Sequence, residues 1–233
     1  MCHYLELSFM IRHLPNFLTC CNLICGCLGL IFLWEDPHIP TAYFVWAACL
    51  FDFFDGFAAR LLKISSPIGK ELDSMADMVS FGALPSLFMY KLLQFESHVD
   101  YLPYVALLIA VCSALRLAIF NIDETQSDSF KGLPTPANAL FITSIPFLDY
   151  TFFDFVFNPV VLVVIVVVFS LLLVSRFELF ALKFKNFTWA DNKVRFTFLF
   201  LSVLLLAVIN FAAIPLIIIL YVAGSLGVRV FSK

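Results

Sequence analysis

DFFDGFAARLLKISSPIGKELDSMADMVSFG, residues 52–82, is the stretch on which the reading of this chain turns. It holds Asp52, Asp55, Asp73 and Asp77, with Gly56, Gly69 and Arg60 among them, in surroundings that otherwise suit hydrocarbon. Asp52 and Asp55 are three apart and Asp73 and Asp77 four apart, so each pair faces one way if its segment is helical. Carboxylates inside a membrane are costly and by default mark a functional site. The rest of the chain reads outward from here as the scaffold that holds these groups together.

The scaffold is apolar. Of the 233 residues, 62% are hydrophobic and 13% charged, with a mean hydropathy of +0.99, far from the balance of a soluble domain. Most of the chain falls into apolar runs near twenty residues long, which predicts an all-α polytopic membrane protein. A net charge of −3 is too small to imply a nucleic-acid partner. The seven cysteines form no CxxC set and read as small packing residues. The opening MCHYLELSFMIRHLPNF lacks a basic n-region and a small-residue cleavage site, so the first apolar run is expected to be kept as a span.

Spans are expected at about 14–34, 40–62, Gly69–Leu93, 101–120, from Pro136 to DYTFFDFVF, 158–175, 195–209 and 212–230, after a short amphipathic stretch over 1–13. Ser65–Pro67 makes the turn between the second and third, and Asn210 the turn between the last two. Eight spans put both termini on one side of the membrane. Arg12, Arg60, Lys63, Lys70, Lys131, Arg176 and the six cations from Lys183 onward fall on that side, while Lys91 stands with Glu35, Asp36, Glu96, Asp100, Asp149 and Asp154 near the other. The positive-inside rule makes the terminal side cytoplasmic. Residues 1–233 are expected to form a single membrane domain with no repeat and no separate soluble unit.

This topology also places the acids. Asp52 lies eight residues before Arg60, roughly 12 Å deeper along the second helix. Asp73 and Asp77 descend from the same face into the third, so the two pairs meet across a helical hairpin below the cytoplasmic surface. Four carboxylates this close cannot all stay ionised without a partner; either some are protonated or cations sit among them. Hard oxygen donors suit Mg²⁺ or Mn²⁺, with Ca²⁺ also compatible. Two such ions would clamp a phosphate and steady the attacking and leaving oxygens. Gly56 and Ala59 share the face of Asp52 and would let a phosphorylated ligand approach the backbone. Gly69 opens the third helix, where free N–H groups favour an anion. Arg60 and Lys63 add positive charge at the rim.

Asp52-x-x-Asp55-Gly56-x-x-Ala59-Arg60, eight residues, then Gly69-x-x-x-Asp73-x-x-x-Asp77 resembles in full the signature of the CDP-alcohol phosphatidyltransferases. The resemblance implies an integral membrane enzyme with a six-helix core. It would use divalent metal to displace CMP from a CDP-linked lipid or alcohol with a second alcohol. It also implies that Asp52, Asp55 and Asp73 are metal ligands, with Asp77 near the metals and serving as the base for the acceptor hydroxyl. Gly56, Ala59 and Gly69 would shape the cytidine and pyrophosphate pocket, with Arg60 nearby. Homodimers are common in such families.

PNFLTCCNLICG (15–26), DMVSFGALPS (77–86), ALRLAIFN (114–121), FKGLPTPANA (130–139) and SRFELFALKFKNF (175–187) resemble the phosphatidylserine synthase branch of that family. One departure is the second arginine that often follows two residues after the one matching Arg116; Ala118 stands there, followed by Ile119. The expected reaction is transfer of the phosphatidyl group of CDP-diacylglycerol to L-serine, in a prokaryotic cytoplasmic membrane with the site facing the cytoplasm. Arg116 and Lys131 are the cations available to the serine carboxylate or the lipid phosphate. Within the family the alternative acceptor is glycerol 3-phosphate or an inositol phosphate. From another class, the rival is an acid-lined cation transporter. Blander readings stand beside several of these residues. Arg116 could snorkel or pack against an aspartate, Asn22 could be helix glue or a pocket contact, and Lys183 and Lys185 read as an interfacial anchor.

Overall fold

The computed structural model describes residues 2–36, 40–64, 66–123, 130–179 and 188–231. Ser65, most of the polar segment after Asp123, and Lys183 and Lys185 with their loop lie outside these residues. Ten α-helices follow one another: α1 (Cys2–Glu35), α2 (Thr41–Leu62), α3 (Pro67–Asp77), α4 (Leu84–Glu96), α5 (Leu107–Ile122), α6 (Thr135–Ser144), α7 (Tyr150–Phe153), α8 (Pro159–Val174), α9 (Trp189–Ile209) and α10 (Ala213–Phe231). Two two-residue strands, β1 (Phe130–Lys131) and β2 (Glu178–Leu179), pair antiparallel.

The fold is all-α, as the apolar runs require. Among the described residues, four helical stretches are long and apolar enough to cross a membrane: His13–Glu35, Thr41–Leu62, Leu102–Ile122 and Arg195–Ser225. A bent pair, Thr135–Phe147 with Thr151–Phe157, makes a fifth if it is one span. Pro159–Val174 is apolar but short. The run from Arg195 folds back on itself: Asn210 takes φ 51° and ψ −133°, and the rings of Phe198 and Tyr221 lie 5.8 Å apart. Twenty-three residues of straight helix would separate those rings by roughly 35 Å.

The hairpin between α2 and α3 is built by local chemistry. Lys63 adopts a left-handed conformation (φ 54°) and its N–H bonds back to the α2 carbonyls, which terminates the helix. Ser66 then caps α3, its Oγ accepting from the Gly69 N–H at 2.9 Å, with Pro67 in the first turn. The third expected span is composite, because α3 runs through a π-helical turn (Met78–Ala83) into α4. Insertions of this kind are frequent at functional sites, and this one begins at the residue after Asp77. Val45 and Ala48 of α2, Phe81 of the π turn, Leu84 of α4 and Ala139 of α6 form one buried cluster. A larger one, including Met89, Leu93, Ile109, Phe141, Ile142, Leu162 and Val166, joins α4, α5, α6 and α8. α1 packs close against the π turn because Gly26 has no side chain; a Cβ there would lie 2.4 Å from Ser80 Oγ. At the opposite end of α1, the Lys91 ammonium bonds the Leu33 carbonyl and sits 5.0 Å over the Trp34 ring. Both contacts suit a cation at a helix C-terminus.

Candidate functional site

The hairpin brings the acids together. One carboxylate oxygen each from Asp52, Asp55 and Asp73 lie within 4.8 Å of one another. Asp55 and Asp77 are buried, and Asp52 and Asp73 half-buried. Asp77 stands one helical turn below Asp73, in the electrostatic reach of the other three. It lies outside the group of three.

α1 contributes two donors that hold these acids. Thr19 Oγ1 donates to Asp55 Oδ2 at 2.7 Å, and Asn22 Nδ2 donates to Asp77 Oδ1 at 3.1 Å. Thr19 and Asn22 are three apart, so one helix face serves both sides of the hairpin. Ser80 of the π turn donates to the Asn22 carbonyl at 2.9 Å, tying that face to the segment that carries Asp77. Sequence reasoning left Asn22 between helix glue and pocket contact and passed over Thr19. Their signal was two polar residues at helical spacing in an apolar span.

The donor set fits a divalent cation. Three carboxylates converge, and Asp73 Oδ1 is buried with no hydrogen-bond partner among the described residues. An unpaired buried carboxylate oxygen is expensive, and hard oxygen donors at this spacing suit Mg²⁺, Mn²⁺ or Ca²⁺.

A cavity of about 200 Å³ opens beside the acids, lined by Asn16, Thr19, Asp55, Gly56, Ala59, Ser66, Gly69, Lys70 and Asp73 among others. Its two glycines do different work. A Cβ on Gly56 would meet only Arg60 Nη2, at 4.0 Å, so the missing side chain leaves room. A Cβ on Gly69 would lie 2.9 Å from Ser66 Oγ and 3.1 Å from Asn16 Oδ1, so that glycine lets the cap close. Arg60 is exposed at the rim. Lys70 Nζ reaches across to the Asn121 carbonyl at 2.7 Å, and Asn121 Nδ2 donates to Ser74 Oγ at 2.9 Å, pinning α3 to the end of α5.

Arg116 sits elsewhere. It lines a second cavity, about 480 Å³, between α5 and α8, together with Asp123, Ser175 and Arg176. It is close enough to Asp77 to interact with it electrostatically. Of Lys131 only the backbone is described; it pairs with Glu178 in the small ladder. Arg176 was grouped in the sequence with the cytoplasmic surface charges, and nothing in its neighbours distinguished it.

The profile of the family described as CDP-alcohol phosphatidyltransferase matches residues 12–175, a segment that contains every aspartate and glycine of the site. The chain is 33% identical over 172 residues to the CDP-diacylglycerol–serine O-phosphatidyltransferase of Bacillus subtilis (strain 168), covering 72% of this chain and 89% of that protein. It is 34% identical over 137 residues to the protein of that name from Helicobacter pylori (strain J99), covering 58% of this chain and 57% of the other. The Methanocaldococcus jannaschii protein of the same name is 34% identical over 129 residues, covering 55% and 58%.

Proposed function

The chain belongs to the CDP-alcohol phosphatidyltransferase family, and from that premise we propose that it transfers the phosphatidyl group of CDP-diacylglycerol to the hydroxyl of L-serine, giving phosphatidylserine and CMP. The observation that carries the chemistry is the convergence of Asp52, Asp55 and Asp73 within 4.8 Å beside a cavity walled by Gly56 and Gly69. Serine as the acceptor is supported by the activity named for the B. subtilis, H. pylori and M. jannaschii relatives.

Mg²⁺ or Mn²⁺, held as one or two ions by Asp52, Asp55 and Asp73 with Asp77 adjacent, would neutralise the pyrophosphate and polarise the phosphorus that stays with diacylglycerol. Gly56 and Ala59 leave the face of α2 low enough for the nucleotide to lie against the backbone. The Gly69 end of α3 and Arg60 present positive charge to the phosphates. Asn22 holds Oδ1 of Asp77, so Oδ2 is the oxygen that takes the proton of the serine hydroxyl. The serine oxygen forms the new bond to phosphorus, the bond from phosphorus to the CMP oxygen breaks, and CMP departs with that electron pair. Arg116, near Asp77, or Lys131 meets the carboxylate of serine.

Residues 1–233 form one membrane domain in this reading, with eight spans, both termini in the cytoplasm and the acids near the cytoplasmic face of a prokaryotic membrane. The acyl chains of the donor enter from the bilayer between helices. The test is labelled L-serine supplied with CDP-diacylglycerol to the wild type and to Asp77→Asn. The wild type is expected to yield labelled phosphatidylserine, and the variant to bind donor and metal without turnover. Turnover retained by Asp77→Asn would remove Asp77 as the base, and no label in lipid from the wild type would remove serine as the acceptor.

A further inference from the structure

At the end of the molecule remote from the acids, a cavity of about 350 Å³ opens among α1, α2, α4 and the turn after α6. Leu33, Phe88, Leu92, Phe95 and Phe147 give it apolar walls, and Lys91 stands in one of them. Fourteen residues separate Thr19 from Leu33 on α1, Thr41 from Asp55 on α2, and Asp77 from Lys91 through the π turn into α4. Each helix therefore sets the cavity roughly 21 Å from the acids, most of the way across a hydrocarbon core about 30 Å thick.

Lys91 is the cation that the charge pattern sets apart among acids, and the structure holds it in place. Its ammonium donates to the Leu33 carbonyl and sits 5.0 Å over the Trp34 ring, and the side chain is half-buried. An ammonium has three N–H donors, of which the Leu33 carbonyl takes one. The same cavity is bounded by Pro40 and Thr41, where α2 begins. Pro40 brings no side-chain acceptor to that first turn, so the positive end of the helix dipole adds to the charge of Lys91. Apolar walls with a fixed cation at the depth of the membrane surface match the polarity of a phospholipid. A free phosphate would gain nothing from Phe88, Leu92 and Phe147, and a neutral chain nothing from Lys91. A role limited to closing α1 would use Lys91 and the Leu33 carbonyl but no cavity.

We propose that this cavity binds one phospholipid of the leaflet on that side, with its phosphate on Lys91 and the start of α2 and an acyl chain against Phe88, Leu92 and Phe147. The lipid joins the ends of α1 and α2 to α4, and it is separate from the donor lipid at the acids. Whichever alcohol accepts the phosphatidyl group, this site is unaffected.

The test is photolabelling of the full-length protein in dodecyl maltoside by a phosphatidylglycerol that carries a diazirine in one acyl chain, with the labelled peptides read by mass spectrometry. Label is expected on residues 88–95 and 143–147, which line the cavity. Unlabelled phosphatidylglycerol is expected to displace it, and dioleoylglycerol or inorganic phosphate to leave it in place. Lys91→Gln is expected to lower this labelling at least about fivefold, and Lys91→Arg, which keeps the charge, to stay within about twofold of the wild type. Wild-type labelling of these segments in Lys91→Gln would reduce Lys91 to a helix cap and overturn the proposal. Equal displacement by dioleoylglycerol would overturn it by making the cavity an apolar groove only, and so would label confined to other segments. The displacement series uses the unmodified protein and decides even where Lys91→Gln fails to fold.

Discussion

Replacing Asn22 by leucine removes the hydrogen bond that holds Asp77 Oδ1, given at 3.1 Å by a side chain with no solvent exposure. Leucine is close in size and leaves the backbone carbonyl that accepts from Ser80 in place, so α1 keeps its packing against the π turn. A hydrogen bond to a charged group contributes about 1.5–3 kcal/mol. At 1.36 kcal/mol per tenfold change in rate, its loss from a correctly aimed base predicts a fall in kcat of roughly 10- to 150-fold. The donor cavity is not lined by Asn22, so KM for CDP-diacylglycerol is expected to stay near its wild-type value. The assay is steady-state CMP release at saturating serine, with donor titrated. A variant with kcat within about threefold of the wild type would show that the bond neither orients the base nor matters to its chemistry.

Gly56→Ala separates folding from donor binding. The added methyl meets only Arg60 Nη2 at 4.0 Å, and alanine gains about 0.5–1 kcal/mol over glycine inside a helix, so the melting temperature should hold or rise while KM for CDP-diacylglycerol increases. An unchanged KM would mean that the nucleotide does not approach this face. Gly132→Ala does the opposite: the left-handed φ and the 2.6 Å approach to the Leu173 oxygen predict a loss of about 1–3 kcal/mol, read as a lower melting temperature in detergent. A melting temperature equal to the wild type would show that the bonds from Gly132 and Leu133 to the end of α8 and the residues after it are not under this constraint.

Much of the site was legible because intramembrane carboxylates leave few alternatives. Their spacing put Asp52 with Asp55 and Asp73 with Asp77 on single faces, and Ser65–Pro67 marked the turn that makes the two faces meet. The second span is expected over 40–62 and the helix runs Thr41–Leu62, because the proline-bearing breaker before it and the Ser65–Pro67 turn after it are strong local signals. Other features depend on long-range contacts that hydropathy cannot report. The π turn after Asp77 leaves the apolar pattern of Met78–Ala83 unchanged. The bonds from Thr19 and Asn22 join residues 36 and 55 positions apart. Arg176 reads as one more cytoplasmic cation until the ladder and Gly132 bring it to the wall that holds Arg116. The fifth span is expected to run unbroken from Pro136 to DYTFFDFVF; the structure bends it between Phe147 and Thr151, because Pro146 and Asp149 interrupt the apolar run.

The central claim is that Asp52, Asp55 and Asp73 form a divalent-metal centre for phosphatidyl transfer, and CMP release measures it most directly. Detergent-purified protein is given CDP-diacylglycerol with Mn²⁺ or Mg²⁺, or with chelator, and with L-serine, glycerol 3-phosphate or no acceptor. The account predicts release that requires both the metal and L-serine, and that Asp52→Asn, Asp55→Asn or Asp73→Asn abolishes. Release that persists in chelator, or in all three variants, would contradict it.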